Sequence, residues 1–277
     1  MRLDFHTHGK LAKKLPFSTA YTDWLFGEAR AAGLDALCLT EHFNTLQFAE
    51  LYGYLASVSR RVGDALELEN SLRVFPGMET DVAEGGHILS IGPLEAILEL
   101  NRRLEPYKEK GKFLPFEQLM DLFDQYPVMV GCGHPFRAPG HVPEMPQEQL
   151  RRLKFLDLNG KDLALDQERT ERLTYDLGEK LGIPVVSGSD THQAVQYGCI
   201  RTRFEKEFDT ISELRQEMEA GRYTICVHPE AAFKVKTAGL LKRSLKEIHA
   251  LGGDYVSVLL RQNGESPAVL KAKGQME

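Results

Sequence analysis

Short runs of apolar and β-branched residues alternate along this chain with longer stretches in which apolar residues recur every three or four positions. The short runs predict strands at 2–6, 35–40, 73–78, 87–92, 127–133, 154–158, 184–189 and 223–228. The longer stretches predict helices at 20–32, 46–68, 94–104, 115–125, 166–181 and 209–220, with one or two more over 238–262. Regular alternation of this kind is typical of an α/β fold with a parallel sheet and helical crossovers.

Glycine and proline mark several of the element boundaries. Gly33 follows the first helical pattern, and Gly182 with Pro184 separates a helix from the next strand. Residues 101–114 and 136–149 are predicted loops. We expect a barrel domain over 1–237, with residues 238–277 as a C-terminal helical extension that packs on the same domain and ends in a polar tail over 263–277.

Composition narrows the class of protein. The 277 residues include 40 acids and 34 bases, so the net charge is −6. The chain as a whole therefore lacks the excess of basic residues that is typical of nucleic-acid-binding proteins. No apolar run approaches the roughly 18 residues of a membrane span, and the first candidate ligand, at residue 6, leaves no room for a signal peptide before it. The four cysteines form no C-x-x-C pair. We therefore predict a cytoplasmic protein with buried free thiols and no membrane partner.

Histidines and carboxylates cluster where the predicted strands end or begin. The clusters are Asp4-Phe5-His6-Thr7-His8, Glu41-His42, Glu79 with His87, His134-Pro135 and Asp190-Thr191-His192. Imidazole and carboxylate groups together are typical ligands of divalent metal ions, and a series of them indicates more than one ion. Strand ends that are far apart in an open sheet cannot converge, whereas those of a barrel surround one mouth, so a barrel is favoured.

The spacing within the clusters suggests individual roles. His6 and His8 are two residues apart, which places both rings on one face of a strand, and Asp4 would share that face and orient a ligand. Adjacent residues face opposite ways, so we assign His42 to metal and Glu41 to an orienting role.

The other clusters allow similar assignments. Asp190-x-His192 repeats the two-residue spacing of the first cluster, and Glu79 could bridge two cations. Each of these residues alone has a plainer explanation, such as a helix cap for Asp190 or a solvated carboxylate for Glu79. Taken singly, His87 and His134 are more typical of structural histidines. Only their joint order along the chain favours a metal site.

The order D-x-H-x-H, T-E-H, G-x-E, G-H, G-H-P and S-D-x-H over residues 1–200 resembles the PHP (polymerase and histidinol phosphatase) superfamily. The resemblance implies an α/β fold, a distorted (β/α)7 TIM-like barrel. Members include histidinol phosphatases, other phosphomonoesterases, nucleases and domains of some bacterial polymerases.

The resemblance also implies how the ligands are shared among two or three divalent ions. One ion would take His6, His8, Glu79 and Asp190, a second would share Glu79 with His87 and His134, and a third would take His42 and His192. Two departures from the family pattern matter. Many members have Asp where this chain has Glu41, and many carry a further histidine where residues 9–16 have none. The third site is therefore left open. Nitrogen and carboxylate ligands favour Zn, Mn or Fe over Mg.

We predict a metal-dependent phosphoesterase, in particular a phosphomonoesterase similar to histidinol phosphatase. A metal-bridging hydroxide would attack a small phosphorylated substrate, with no protein nucleophile. Arg137 is the candidate phosphate clamp, since its planar fork matches two phosphate oxygens, and Lys10 and Arg203 are weaker candidates.

Alternatives to this function remain open at the level of the sequence. They are a phosphodiesterase or exonuclease on nucleic acid, which the net charge disfavours, a non-catalytic metal-binding module, and an amidohydrolase barrel. The sequence predicts no oligomeric state.

Overall fold

The computed structural model describes residues 1–261, and the predicted tail over 263–277 lies outside them. The strands in this part are β1 (Arg2–Thr7), β2 (Ala36–Leu39), β3 (Ser59–Val62), β4 (Ala65–Leu68), β5 (Arg73–Asp81), β6 (His87–Ile91), β7 (Met129–Gly133), β8 (Phe155–Asn159), β9 (Val185–Gly188), β10 (Ile200–Phe204) and β11 (Tyr223–Val227). The helices are α1 (Thr19–Ala31), α2 (Phe48–Ser57), α3 (Leu94–Arg103), α4 (Phe116–Phe123), α5 (Gln147–Leu150), α6 (Gly160–Leu163), α7 (Gln167–Leu181), α8 (Ile211–Glu219), α9 (Ala231–Ala250) and α10 (Tyr255–Leu260).

Seven of these strands form a barrel in the order β1, β2, β5, β6, β7, β8, β9. The barrel is completed just beyond β9, where the N–H of Asp190 donates to the carbonyl of His6 at 2.7 Å. The N–H of His8 donates in turn to the carbonyl of Thr191 at 3.0 Å. The predicted distorted (β/α) barrel is therefore confirmed, and residues far apart in sequence meet at one mouth.

One strand of the barrel runs against the others. β6 pairs antiparallel with both β5 and β7, whereas the other neighbouring barrel strands are parallel. The first residue of β6, His87, lies opposite Asp81 at the end of β5 and Gly133 at the end of β7. A residue that begins β6 can therefore share a site with residues that end the parallel strands.

The barrel interior is filled by apolar side chains below the mouth. They are Leu3, Phe5, Ala36, Cys38, Phe75, Leu89, Ile91, Met129, Phe155 and Val186, with partners from β10 and α8. A second apolar cluster lies between the strands and the surrounding helices. Burying each large side chain of these clusters contributes about 1.5–3 kcal/mol. The polar groups at the mouth thus lie directly above a closely packed apolar core.

Local chemistry explains where several helices begin and end. The Ser18 side chain accepts the Tyr21 N–H at the start of α1, and Thr210 with Glu213 forms a reciprocal capping box at the start of α8. α7 ends at Gly182, whose φ of +69° is a conformation that glycine adopts without strain, as the L-G-I-P sequence predicts.

The eight predicted strands are all present, but the helix predicted over 46–68 is wrong beyond residue 57. There β3 and β4 form an antiparallel hairpin that turns at Gly63, where φ is +59°. A Cβ at Gly63 would collide with the backbone of Asp209, so the tight turn needs glycine. The prediction also missed β10, an I-R-T-R-F strand that pairs antiparallel with β1 and β11.

The C-terminal part of the described chain packs on the barrel. α9 begins at Ala231, so the predicted domain boundary at residue 238 falls inside a helix. α9 lies against α6 and a 3₁₀ turn at Ala194–Gln196, and the Lys234 ammonium donates to the carbonyl of Val195 at 3.1 Å. None of the described helices combines the length and the apolar character that crossing a bilayer would require.

Candidate metal centre

A β-bulge in β1 turns the two histidines of the first motif into the barrel. Asp4 and Thr7 both pair with leucines of β2 that belong to the outer apolar cluster, although they are three residues apart in β1. One extra residue therefore lies between them, and His6 and His8 face the interior. The prediction that Asp4 shares a face with these histidines is wrong, because the bulge breaks the two-residue alternation.

The Asp4 carboxylate accepts hydrogen bonds from backbone N–H groups and not from an imidazole ring. Its Oδ1 accepts the N–H of Ser189 at 2.9 Å and the N–H of His6 at 3.2 Å, which joins the end of β9 to β1. Burial raises the pKa of Asp4 to about 7, although these hydrogen bonds act in the opposite direction. Asp4 thus stabilises the closure of the barrel, and a different acid orients His6.

Glu79 lies at the centre of the mouth, and its two carboxylate oxygens face the rings of five histidines. The distances from Oε1 are 3.3 Å to His6 Nε2, 2.6 Å to His87 Nδ1 and 3.2 Å to His134 Nε2. The distances from Oε2 are 3.5 Å to His8 Nε2 and 2.7 Å to His42 Nδ1. Each oxygen faces a different set of rings, which is the arrangement that a bridging carboxylate needs.

Asp190 is the second carboxylate of the mouth and follows β9. Its Oδ1 lies 3.2 Å from His8 Nε2 and 3.8 Å from His192 Nε2, and the rings of His8 and His192 stack with centroids 4.0 Å apart. Asp190 and His134 have φ values of +55° and +29°, which non-glycine residues rarely adopt. Such backbone costs about 1–3 kcal/mol per residue and is typical of functional sites.

Three hydrogen-bond acceptors orient the histidine rings. Asp157 Oδ2 lies 2.9 Å from Nδ1 of His6, and Asp81 Oδ1 lies 3.0 Å from Nε2 of His87. The carbonyl of Lys10 lies 3.0 Å from Nδ1 of His192. When these ring nitrogens donate, the other nitrogen of each ring carries a lone pair towards the mouth. This pattern of an acceptor behind the imidazole is usual for histidines that ligate metals.

The sequence analysis missed Asp157 and Asp81. Asp157 lies in the buried strand Phe155–Asn159 and is itself fully buried, where it also accepts the backbone N–H of His134 at 3.3 Å. The sequence did carry one signal for Asp157, which is an acid inside an apolar strand. A buried carboxylate needs a hydrogen-bonding or charged partner, so such a position indicates a polar contact in the interior. Asp81 lies two residues after Glu79 on β5, a spacing that also repeats in His6 and His8.

The carboxylates of the mouth are held in their ionised form. Burial alone would raise the pKa of Glu79, but the neighbouring charges of His87, His42 and His6 lower it well below its usual value. Burial also opposes ionisation of Asp190, whose pKa Lys161, His8 and Arg137 nevertheless lower. The two carboxylates therefore demand positive charge around them.

The histidines divide into two groups by their pKa. Burial disfavours the charged ring in all of those described here, yet Glu79 and Asp157 raise the pKa of His6 well above its usual value. Glu79 and Asp81 raise the pKa of His87 to about 10. Burial lowers the pKa of His42, His134 and His192, most strongly for His192. The centre thus favours positive charge on His6 and His87, and it favours neutral rings at His42, His134 and His192.

Glu41 accepts backbone N–H groups beside the histidines. Its Oε2 accepts from Gly9 and its Oε1 from His42, both at 3.0 Å, and Oε1 lies 3.7 Å from Nδ1 of His8. Burial works against its ionisation, whereas the contact with His8 lowers the pKa of Glu41. Glu41 lies where it can position the His8 and His42 segments, as the sequence analysis predicted for an orienting group.

Arg137 and Lys161 both contact Asp190. Arg137 Nη1 donates to Asp190 Oδ2 at 2.8 Å, Nε donates to Asp162 at 2.8 Å and Nη2 donates to Asn159 at 2.7 Å. Lys161 Nζ lies 2.8 Å from Asp190 Oδ1. The sequence analysis missed Lys161, because a single lysine after a strand has no distinguishing pattern.

The other two predicted substrate contacts lie elsewhere. Lys10 is buried, and its ammonium donates to Thr45 Oγ1 at 3.1 Å and to the carbonyl of Leu46. Arg203 lies beside Arg2 in the antiparallel β1–β10 ladder. Arg2 begins β1, whereas His6 lies near the other end of that strand. The prediction that Arg203 binds substrate is wrong, since β10 extends away from the mouth, and the ammonium of Lys10 already has protein acceptors.

The residues at the mouth fit divalent metal ions. Buried atoms without a hydrogen-bond partner include His6 Nε2, both ring nitrogens of His8, His42 Nδ1 and Glu79 Oε2. Buried polar atoms seldom remain unpaired, so this concentration indicates that these atoms are suited to ligate cations. Ligand atoms lie within 4.8 Å of one another in four groups: His6-His8-Glu79, Glu79-His87-His134, His8-His42-His192 and His6-His134-Asp190.

No family model and no curated protein matches the sequence. Solved structures do match in fold. PsfC from Pseudomonas syringae PB-5123 has a TM-score of 0.68 at 21% identity, over 88% of this chain and 98% of that one. The lesion-specific endonuclease PfuEndoQ from Pyrococcus furiosus has a TM-score of 0.59 at 17% identity, over 81% of this chain and 57% of that one. The chain therefore shares the fold of these structures.

These likenesses are limited to architecture. At such low identities they show the fold of this chain and carry no residue roles. A further match is the structure of Endonuclease Q in complex with a 27-mer duplex that carries an abasic lesion at the active site, with a TM-score of 0.60 at 16% identity over 79% of this chain. The chain spans 56% of that enzyme's length. The chemistry of the centre must therefore be argued from its own side chains.

Proposed function

We propose that this chain is a metal-dependent phosphoesterase that binds two or three divalent ions at the mouth of its PHP barrel. The observation that carries the proposal is the Glu79 carboxylate, which lies within 3.5 Å of ring nitrogens from five histidines. Several of these buried atoms have no hydrogen-bond partner. The raised pKa values of His6 and His87 beside the ionised Glu79 indicate a demand for positive charge, which divalent cations would meet in place of ring protons.

The four groups of ligand atoms support a division of the ligands among the ions. In our proposal, one ion takes His6, His8, Glu79 and Asp190, and a second takes Glu79, His87 and His134. The third group needs His8 in addition to His42 and His192, so it shares a ligand with the first ion. The number of ions bound therefore depends on whether His8 serves one ion or two.

Imidazole and carboxylate ligands favour Zn, Mn or Fe. Bound between these side chains, such ions would activate water and neutralise charge on a phosphoryl group. A protein nucleophile is not required. The thiols of Cys38, Cys132 and Cys199 are buried, and burial raises the pKa of each. Free thiols of this kind suit a reducing compartment, and we propose the cytoplasm.

Arg137 is the proposed phosphate clamp. Its three bonds to protein acceptors use three of the five N–H groups of a guanidinium, so one N–H on each terminal nitrogen remains for a phosphate oxygen. The bonds to Asp162 and Asn159 fix the plane of the guanidinium. Arg137 would thus hold the phosphoryl group next to Asp190.

We propose a small phosphomonoester, of the histidinol phosphate type, as the substrate. A cavity of about 220 Å³ adjoins the mouth beside His134 and Arg137, and Asp162, Asp166 and Arg169 also line it. This volume suits a small polar leaving group. The net charge of −6 gives no general attraction for a nucleic-acid strand.

The second candidate is a phosphodiesterase acting on nucleic acid. The observation that favours it is the fold that this chain shares with a lesion-specific endonuclease.

Release of phosphate from a panel of esters tests the proposal. The panel contains histidinol phosphate, other monoesters, a simple diester and single- and double-stranded oligonucleotides, offered to protein loaded with Mn or Zn. We expect turnover of monoesters that Asp190→Ala abolishes. Cleavage of oligonucleotides alone would replace the monoesterase by the second candidate. Metal binding without release from any ester would contradict both.

A further inference from the structure

Asp190 lies between two cations at one side of the mouth. Arg137 and Lys161 each approach one of its carboxylate oxygens at 2.8 Å. Lys161 is the second residue of α6, which follows β8 directly, and its side chain remains partly exposed to the mouth. Arg137 also pairs with Asp162 at 2.8 Å, so two cations face two carboxylates at this side of the mouth.

α9 brings a third cation to the same place. The helix packs against α6, and Ala238 and Leu245 are its buried residues nearest to Lys242. Lys242 follows the first by four positions and precedes the second by three, so it lies on the face of α9 that is turned towards the protein. The adjacent Arg243 is exposed.

Within residues 1–261, no group accepts a hydrogen bond from the Lys242 ammonium. It is half-buried and makes neither a hydrogen bond nor an ion pair with any residue between 1 and 261. Burial and then the charge of Lys161 lower the pKa of Lys242 to about 8, while Asp190 and Glu41 act in the opposite direction. A partly desolvated ammonium without an acceptor is unfavourable unless a ligand supplies one.

We infer that Lys242 and Lys161 together bind the phosphate dianion of a monoester above Asp190 and so select monoesters against diesters. The inference rests on the proposed function, since it names the groups that hold the phosphoryl part of the substrate. A monoester carries about −1.5 to −2 charges at neutral pH, whereas a diester carries about −1. An ammonium pair beside Arg137 therefore favours the monoester. Lys242 acts on binding rather than on the chemical step.

Calorimetric titration of inorganic phosphate into the full-length, Mn-loaded protein tests this inference without any need for turnover. We expect Lys242→Ala to weaken phosphate binding about tenfold, the effect of losing one charge-assisted hydrogen bond at a partly exposed site. Arg243→Ala removes the same charge from the next position and is expected to change the affinity less than about twofold, as is usual for exposed charges. Lys242→Arg keeps the charge and should restore most of the affinity.

Kinetics with a monoester and a diester supply the second measurement. We expect Lys242→Ala to raise KM for the monoester about tenfold, in line with the loss of phosphate affinity, and to leave kcat and the diester KM nearly unchanged. Equal phosphate affinity in wild type and Lys242→Ala would overturn the inference, as would equal losses in the Arg243→Ala variant or for the diester. If no ester is hydrolysed but phosphate binding still depends on Lys242, the anion site stands and the phosphoesterase proposal fails.

Discussion

At the scale of single residues, the metal centre depends on acids that lie behind the histidines. Asp157 contacts Nδ1 of His6 and also accepts from the backbone of His134 and from the Asn159 side chain. It thereby fixes two histidines whose rings both face Oε1 of Glu79. Substitution of such acceptors typically lowers metal affinity, because the ring loses both its orientation and part of its basicity.

Asp157→Asn is therefore predicted to lower metal affinity about 10- to 100-fold, the usual effect of removing such an orienting group. The amide keeps the size of the side chain but loses the negative charge that opposes Nδ1 of His6. Competition with a chelator of known affinity measures the change. Asp176→Asn, an exposed acid on α7, is the matched control and should bind metal as the wild type does. An unaltered affinity in Asp157→Asn would show that this acid does not support a metal ligand.

The sequence predicted which residues meet at the mouth better than it predicted what supports them. The histidines and carboxylates of the five motifs converge on Glu79, and their role as ligands stays a prediction. Asp157 was missed because it is a single acid in an apolar strand, and Asp81 because it follows Glu79 without a histidine beside it in sequence. Only the folded barrel places each of them behind a ring. Lys161 and Lys242 were missed because their positions depend on how α6 and α9 pack.

At the scale of elements, two irregular strands build the mouth. The bulge in β1 places both Phe5 and His6 towards the interior, and the reversed direction of β6 brings His87 to the same end as the other ligands. Alternation along the sequence cannot show either feature, because a bulge is set by pairing with the neighbouring strand and strand direction by the topology. This is why the assignment of Asp4 was wrong while that of His6 and His8 to the interior face was useful.

Gly188 on β9 is the position where the close approach of strands is most restrictive. A Cβ there would overlap the Cβ of His6 and lie 2.6 Å from Asp157 Oδ1. Gly188→Ala is therefore predicted to displace His6 and to lower metal affinity at least tenfold, comparable to the loss of an orienting group. Gly27→Ala in α1, where a Cβ meets nothing within 4 Å, is the control. It should bind metal normally and stabilise the protein by about 0.5–1 kcal/mol. Wild-type metal affinity in Gly188→Ala would contradict the proposed packing of His6 against β9.

At the scale of the whole molecule, hydrogen bonds and ion pairs connect neighbouring elements at both ends of the barrel. At the mouth, the hydrogen bonds of His6 and His8 to residues beyond β9 close the ring of strands. At the opposite end, Asp35 accepts from the backbone and guanidinium of Arg2 and from Arg30, which joins β1, α1 and the start of β2. The alternation of strands and helices predicted an α/β fold with a parallel sheet. The barrel was predicted from the candidate ligands, which only a closed sheet could bring to one mouth. It did not predict β10, which with β11 extends the sheet outside the barrel.

The hydrogen bonds and charges of Arg2 and Arg30 lower the pKa of Asp35 well below its usual value against a smaller effect of burial. An acid with a lowered pKa in the folded state stabilises the protein above its unfolded pKa of about 4, and this contribution is lost as the pH falls towards the folded pKa. We expect Asp35→Asn to destabilise the protein by about 1–2 kcal/mol at pH 7, a value reduced by the partial exposure of the arginines.

The difference between wild type and Asp35→Asn should shrink between pH 5 and about pH 3, because Asp35 of the unfolded wild type then takes up a proton while the folded protein keeps this side chain ionised. Urea unfolding at a series of pH values measures it. Since Asp35 lies at the end of the barrel away from the metal ligands, metal content should not change. A difference that stays constant down to about pH 3 would show that the ion pairs contribute no stability.

The most direct test of the central claim is the number of metal ions bound per chain, measured by elemental analysis after loading with Zn or Mn and removal of the excess. We predict two or three ions in the wild type and at least one fewer in Glu79→Gln, because the amide cannot bridge two cations with charged oxygens. Fewer than two ions in the wild type, or the same number in both proteins, would contradict a centre built around Glu79.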